Sequence, residues 1–482
     1  MIIYLVPSKA LASEVEAHIA KIVNRLGVQI VVSSLYGGTD WGPTDAWLSS
    51  NEKTVLICTY EKAEALIRFL GPMFLNRVSL VIIDEAHSVQ FDDNWQNLYQ
   101  AESRPLRLEV LGSRLLRQLH ENNRQVLALS AVASGLEDAL ASWASGISNT
   151  KPTETTYRST RQLVGRLECL PNRKFEIYFD LLDGESLQFQ DGGKSSSPFI
   201  LNPFPPHPPA PQWLNKSAEI RIRPHLLWAA MQLASPDSDG NLRSVLISVS
   251  QNIGGFAEDF LRLLESTWQT VTLPKFFTEP TAPQKISIWQ QCLKSCADYF
   301  TKDSREYRLL QKGIIVHHGK MPGLLARLLV QCIQEKIASL VLATSTLSEG
   351  VNLPFGTILI PTLRRYQDNT EQTVGIREFN NLIGRAGRPG FGTEGRSLVL
   401  LPEKAHGDSG QVIRQVNKVR KRYFDLITQI RDKKKDMLKA TSTSSKKFWH
   451  VEYLPETHTV EGDVHGQKVH RRPDPGRKGD IS

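Results

Sequence analysis

Cysteine is scarce in these 482 residues, five in all, at positions 58, 169, 292, 296 and 332. So few thiols exclude a disulfide framework and suit a reducing, cytoplasmic setting. Cys292 and Cys296 stand one helical turn apart. No second Cys or His pair accompanies them to close a tetrahedral zinc shell, so they read as ordinary buried thiols. Long apolar runs are missing too. No stretch reaches the roughly 18 residues that a bilayer span requires, which leaves no membrane partner. The opening Met1-Ile-Ile-Tyr-Leu-Val-Pro7 is apolar, but no basic residue precedes it and no small-residue cleavage site follows. It reads as a buried strand, not a secretory leader.

What is present is enough apolar material, 40%, to build the cores of two or three domains. Lys and Arg outnumber Asp and Glu, 58 to 50, and the isoelectric point near 9.1 leans towards polyanionic partners.

From residue 2 to about 165, short apolar runs alternate with amphipathic stretches: Ile2 to Val6, Val28 to Val32, Thr54 to Cys58, Leu80 to Ile83 and Val126 to Leu129. Runs that do not alternate are buried on both faces, the pattern of a parallel sheet wrapped by crossover helices. A first α/β lobe is expected over 1–165. Residues 166–215 hold Asn202-Pro-Phe-Pro-Pro-His-Pro-Pro-Ala-Pro211 and read as a proline-rich linker or insertion. The alternation resumes over 216–405, with strands expected at Val245 to Val249, Gly313 to Val316, Leu340 to Ala343, Thr357 to Ile360 and Ser397 to Leu401. Over 406–454, Val412, Val416, Val419, Tyr423, Leu426 and Ile430 make one helical stripe. Its other face is basic, either as a solvated surface or in contact with phosphates. Residues 455–482 are polar and are expected to be disordered.

Two segments carry chemistry. Val81-Ile-Ile-Asp84-Glu85-Ala-His87 sends a strand out of the sheet with two adjacent carboxylates at its carboxyl end, where open α/β sheets bind ligands. In nucleotide hydrolases the first such carboxylate holds Mg²⁺ through its water shell, and the second orients and deprotonates the attacking water. Asn380-Asn-Leu-Ile-Gly384-Arg385-Ala-Gly387-Arg388-Pro-Gly390 presents two arginines three apart, with glycines that let the backbone approach a neighbour closely. Guanidinium groups of this kind neutralise charge growing on a transferring phosphoryl group.

On these segments the chain resembles superfamily 2 helicases of the DEAD/DEAH-box type, in their superkiller-like branch, over residues 2 to about 405. Motif order agrees throughout. Val6-Pro7-Ser8-Lys9-Ala10-Leu11 is similar to motif Ia, Cys58-Thr59-Tyr60-Glu61-Lys62 to motif Ib, and Leu129-Ser130-Ala131-Val132 to motif III. In the second half, Val245 to Ser250 is similar to motif IV, His317-His318-Gly319 to the branch's His-His element, and Ala343 to Pro354 to motif V. Three positions depart from the pattern: Tyr60 replaces a proline, Val132 a threonine and Asn381 a glutamine.

The resemblance implies two RecA-like lobes with parallel sheets, the first truncated at its N-terminus, and a basic helical segment after them. It implies ATP with Mg²⁺ as cofactors, and single-stranded or partly duplex DNA or RNA as partner. Asp84, Glu85, Arg385 and Arg388 would be catalytic, with Mg²⁺ on Asp84 through water. Gly350 and Asn352 would join those four around the nucleotide. Pro7, Ser8, Lys9, Thr59 and Thr344 would touch the nucleic-acid backbone, and Ser130, Ala131 and His87 would couple hydrolysis to movement.

Family members also carry a G-x-x-x-x-G-K-[ST] phosphate loop before motif Ia, on a strand expected in mid-sheet beside the acidic strand. Gly192-Gly193-Lys194-Ser195 has the right ending, but position 188 is Gln and no apolar strand leads into it. The expectation is therefore a helicase core lacking that loop, with an upstream polypeptide as its source. The alternative is a non-hydrolysing nucleic-acid-binding protein that keeps the two-lobe scaffold.

Overall fold

The structure, a computed structural model, describes residues 1–35, 52–89, 104–121, 124–130, 137–153, 160–191, 194–214, 217–237, 240–344, 353, 355–367, 370–387, 394–403, 410–440, 452–453, 460–464 and 467–470.

The first lobe runs β1 (Ile2–Val6), α1 (Lys9–Leu26), β2 (Val31–Leu35), β3 (Thr54–Thr59), α2 (Tyr60–Leu75), β4 (Leu80–Ile83), α3 (Arg104–Glu121), β5 (Gln125–Ala128) and α4 (Glu137–Ser145). Its sheet is parallel throughout, in the order β2-β3-β1-β4-β5. Leu5, Leu56, Cys58, Val81 and Ile83 pack with α2 and α3 on one face, while Val6, Val55 and Ile57 pack with Ala12 on the other. Burial on both faces is why these runs are apolar without alternation. Gly27 ends α1 at φ +62°, leaves Val28 exposed and moves β2 three residues beyond the expected start.

The acidic strand β4 has β1 on one side and β5 on the other, so the place expected for a phosphate-loop strand beside it is filled. Among the described residues β5 ends the sheet, with Leu127 and Leu129 exposed.

The second lobe runs β6 (Arg161–Leu170), β7 (Lys174–Leu182), β8 (Glu185–Ser186), β9 (Phe189–Asp191), β10 (Lys194–Ser196), β11 (Phe199–Leu201), α5 (Ala218–Arg221), α6 (Arg223–Ala234), β12 (Val245–Val249), α7 (Ile253–Arg262), α8 (Pro283–Phe300), α9 (Arg305–Gln311), β13 (Ile314–His317), α10 (Gly323–Gln334), β14 (Leu340–Thr344), β15 (Thr357–Ile360), β16 (Arg364–Gln367), β17 (Thr370–Thr373), α11 (Ile376–Ile383), β18 (Glu394–Leu401) and α12 (Gly410–Ala440). Its sheet has nine strands, in the order β11-β7-β6-β18-β15-β12-β14-β13 with β8 beside β7. From β6 to β13 neighbours are parallel; β7 and β11 add antiparallel. Helices α8, α10, α11 and α12 cover one face, and α6, α7 and Trp268 the other.

Residues 166–215 thus differ from the linker expected there. β6 pairs with β18 along its length, in register from Arg161↔Glu394 to Glu168↔Leu401, so this part of the chain belongs to the second sheet. The proline-rich stretch is also fixed. The Trp228 indole donates to the Pro205 carbonyl at 2.9 Å, and the Trp268 indole donates to the Pro209 carbonyl at 3.2 Å. His207 is buried, with its ring edge-on to His225, centroids 4.2 Å apart.

The expected apolar stripe of α12 is real: Val416, Tyr423, Leu426 and Ile430 are buried. Cys292, Cys296 and Cys332 lie in the same core. Contact with Cys332, then burial, pushes the Cys292 thiol far above its usual pKa, and burial pushes Cys296 up to about 12.

Residues 435–482 form a separate unit. It carries β19 (Glu452–Tyr453), β20 (Val460–Val464) and β21 (Gln467–His470) as an antiparallel sheet, where polarity had suggested disorder. The valines Val460, Val464 and Val469 give these short strands their β preference.

Candidate functional site

In a parallel sheet, loops that leave the carboxyl ends of neighbouring strands meet at one edge. In the first lobe that edge gathers Pro7, Ser8 and Lys9 after β1, Thr59 and Tyr60 at the end of β3, Asp84 and Glu85 after β4, and Ser130 after β5. Backbone bonds fix their depth. The Asp84 N–H donates to the Leu5 carbonyl at 2.9 Å, Leu129 N–H to Ile83 at 2.8 Å, and Ala86 N–H to Leu129 at 2.8 Å.

Asp84 is half-buried and held at three points. Its carboxylate accepts from the Tyr4 hydroxyl at 3.2 Å and from the Glu85 N–H at 2.9 Å, while its main-chain carbonyl accepts from the Tyr60 hydroxyl. Burial first, then the Asp84 charge and hydrogen bond, raise the Tyr4 phenol well above its usual pKa. Tyr4 therefore stays a donor. Glu85 sits at φ +50°, a left-handed conformation uncommon for a residue with a Cβ, and turns the chain from β4 into the 3-10 turn Ala86–Val89. The geometry yields one oriented carboxylate with a second beside it at a strand end, a donor set of the kind that suits a hydrated Mg²⁺. Among the described residues no group of three or more His, Cys, Asp or Glu could hold a metal directly.

The neighbouring positions are less uniform. Ser8 caps α1, its hydroxyl accepting from the Leu11 N–H at 3.2 Å, and Thr59 is buried. Lys9 opens α1, Ser130 is exposed, and His87 lies in the 3-10 turn. Ala131 and Val132 fall outside the described residues.

In the second lobe Thr344 ends β14, half-buried, at the carboxyl edge of its sheet. Gly350, Asn352 and Arg388 lie outside the described residues. Arg385 follows α11, in a segment that glycine makes possible. A Cβ on Gly387 would come within 2.4 Å of the Gly395 nitrogen, and Gly387 has φ +65°. Ala386 bridges to Phe355, and the Gly387 N–H donates to the Phe355 carbonyl at 2.9 Å. The turn carrying Arg385 is thereby clamped between β15's leader and the start of β18. His317 is buried, and burial lowers its pKa to about 4.

Lys194–Ser196 pairs antiparallel with Phe189–Asp191. Lys194 and Ser195, the phosphate-loop-like ending, thus lie on a strand with an antiparallel partner, without the strand-to-helix geometry that aims backbone donors at phosphates. Among the described residues no helix is long and apolar enough to cross a membrane.

Tyr4 was not marked in the sequence as a site residue. Its only signal is a polar tip inside an apolar strand. Tyr60 stood out as a departure from the motif, and the structure gives it a hydrogen bond that proline could not make. The charge cluster between β6, β7 and α12 had no signal, because its members are far apart in sequence. There Arg166 meets Asp180 at 2.6 Å and Glu168 at 2.8 Å, and Arg420 meets Glu168 at 2.7 Å.

Residues 1–139 match the DEAD/DEAH box helicase family model. The chain is similar to Hachiman protein HamB of Bacillus cereus, 27% identical over 83% of this chain and 32% of that protein. It is also similar to the ATP-dependent DNA helicase Hel308 of Caldivirga maquilingensis, 24% identical over 84% of this chain and 44% of that protein. The Hel308 of Pyrococcus horikoshii is 23% identical over 83% and 44%. The chain spans between about a third and under half of the length of these relatives. Motif order, the two α/β lobes and these matches together make the chain similar to the superfamily 2 helicases of DEAD/DEAH-box type, with the family model itself matched over residues 1–139.

Proposed function

We propose that this chain is the core of an ATP-dependent helicase or translocase that moves along single-stranded nucleic acid. The observation that carries the reading is the single carboxyl edge on which Pro7 to Lys9, Thr59, Asp84, Glu85 and Ser130 converge. Bound Mg²⁺ would supply charge neutralisation on the phosphates. Asp84 would hold the ion through its water shell, and Tyr4 holds the Asp84 carboxylate in place. Glu85 takes the proton of the attacking water. Arg385 and Arg388 neutralise charge on the transferring group, with Gly350 and Asn352 lining the nucleotide from the second lobe. Pro7, Ser8, Lys9, Thr59 and Thr344 lie along the nucleic-acid backbone. Ser130, Ala131 and His87 link the two activities. Relatives named as DNA helicases favour DNA as the strand.

The described residues fit Mg²⁺ and the catalytic water, but they hold no glycine-rich cradle for the β- and γ-phosphates. Among the described residues β5 is the last strand of the first sheet, and its edge is where a strand bearing such a loop would add. A salt titration tests the nucleic-acid part. Affinity for single-stranded DNA should fall as salt rises, through counterion release, and Lys9→Ala with Thr344→Ala should weaken it. Salt-independent binding, or wild-type affinity in that double variant, would overturn the reading.

A further inference from the structure

The second lobe contains a cavity of ≈ 330 Å³ lined by residues of β6, β7, β10, β11 and α12 and of the segments between those strands, and by none of the motif residues. Its wall includes a stack of three planar groups. The Arg166 guanidinium lies 4.2 Å from the centroid of the Tyr178 ring and 5.3 Å from that of Phe424. Asp180 and Glu168 hold Arg166 in that plane. On the strand side the Phe199 ring lies 5.5 Å from Tyr178, tilted by 30°. Phe199 and Phe424 are 52% and 42% exposed. Two large rings lining one cavity are thus left partly in water, where covering either would be favourable.

The remaining lining narrows the ligand. Arg431, two turns along α12 from Phe424, is a second cation, and the Thr428 side chain lies between them on the same helical face. Between residues 411 and 432, α12 carries six Lys or Arg, Arg431 among them, against two Asp. Aromatic faces beside guanidinium groups on a basic helix suit a flat, electron-rich ring joined to an anion. That is the chemistry of single-strand recognition by stacking and charge. A cavity of this size, at the small end of ligand pockets, has room for one base.

We propose that this cavity takes one unstacked base of the bound single strand, packed against Phe199 and Phe424, with the adjoining phosphates along the basic face of α12 at Arg431. The proposal rests on the reading of the chain as a nucleic-acid motor, and adds a contact outside its motifs. An apolar peptide segment is the rival occupant, and the experiment separates the two.

The full chain is bound to single-stranded DNA carrying 5-iodouracil and irradiated, and the crosslinked residues are identified by mass spectrometry. Crosslinks are expected on Phe199, Phe424 or Tyr178. In anisotropy titrations Phe199→Ala and Phe424→Ala should each weaken binding about fivefold to a hundredfold, from the usual worth of one stacked base, without changing the salt slope. Arg431→Gln should flatten that slope by about 0.7, one phosphate contact on a single strand. Phe424→Tyr, which keeps the ring, should restore affinity if stacking is the cause. Phe69→Ala, at a ring 83% exposed on α2, is the control and should leave affinity unchanged. If the wild-type chain binds DNA but gives no crosslink in the cavity, and both alanine variants bind within twofold of it, the base site is wrong while the motor reading stands. If the wild-type chain does not bind single strands at any salt, both fall.

Discussion

Replacing Asp180 with alanine should loosen the second lobe, and the structure gives the size of the effect. The carboxylate, 5% exposed in its side chain, accepts twice from Arg166, at 2.6 and 2.7 Å, once from Ser197 at 2.8 Å and once from Tyr423. Burial alone would lower the Arg166 pKa; Asp180 and Glu168 outweigh it and raise it. Losing one partner of a buried ion pair costs about 3–5 kcal/mol. The low end applies, because Glu168 still holds the Arg166 Nε. The fully buried Tyr423 hydroxyl then adds about 1–3 kcal/mol as an unsatisfied donor. A loss on the order of 4–6 kcal/mol follows, against a typical domain stability of about 5–15 kcal/mol. Tyr423→Phe alone should cost only about 1–2 kcal/mol. The assay is urea unfolding followed by tryptophan fluorescence, since Trp228, Trp268 and Trp289 are buried in this lobe. An Asp180→Ala midpoint equivalent to less than about 1 kcal/mol would refute the claim that this cluster fastens α12 to β6 and β7.

Three further outcomes are expected. Acid should destabilise the second lobe through His207 and His225, whose pKa values burial lowers to about 4 and about 3. Both are neutral when folded, so stability is full above the ordinary value near 6.5 and falls as pH drops towards 4 and below. At pH 5 each ring costs roughly 2 kcal/mol, taking about 1.4 kcal/mol per unit; urea midpoints at pH 7.5 and 5 measure it, and His225→Phe should remove about half. Gly387→Ala should cost at least about 1–2 kcal/mol, from the left-handed φ and the clash with Gly395, read as a lower melting temperature of the second lobe. Tyr60→Phe should cost about 1 kcal/mol by freeing the Asp84 carbonyl, seen as a small shift in first-lobe unfolding.

Much of the architecture was legible because two-sided burial leaves an unambiguous trace. β1, β4, β12 and β15 begin and end where their apolar runs do. Local geometry was legible where it is set by neighbours in sequence, as at the strand end before Asp84-Glu85 or the close backbone approach at Gly387. Three features were not. The share of β6 and β7 in the second sheet depends on pairing with β18, more than 200 residues away. The proline-rich stretch reads as linker because the tryptophans that hold its carbonyls lie elsewhere in the chain. The strands of residues 452–470 have too few apolar residues to show a period.

The most direct test joins this chain to a segment bearing a G-x-x-x-x-G-K-[ST] loop, fused or in trans, and measures ATP turnover with and without single-stranded DNA, in the wild type and in Glu85→Gln. Turnover stimulated by DNA is expected, falling about 100-fold or more in Glu85→Gln, as for loss of a general base, while DNA affinity holds. Turnover in Glu85→Gln equal to wild type, or none in either protein with the loop supplied, would contradict a motor whose catalytic edge is Asp84 and Glu85.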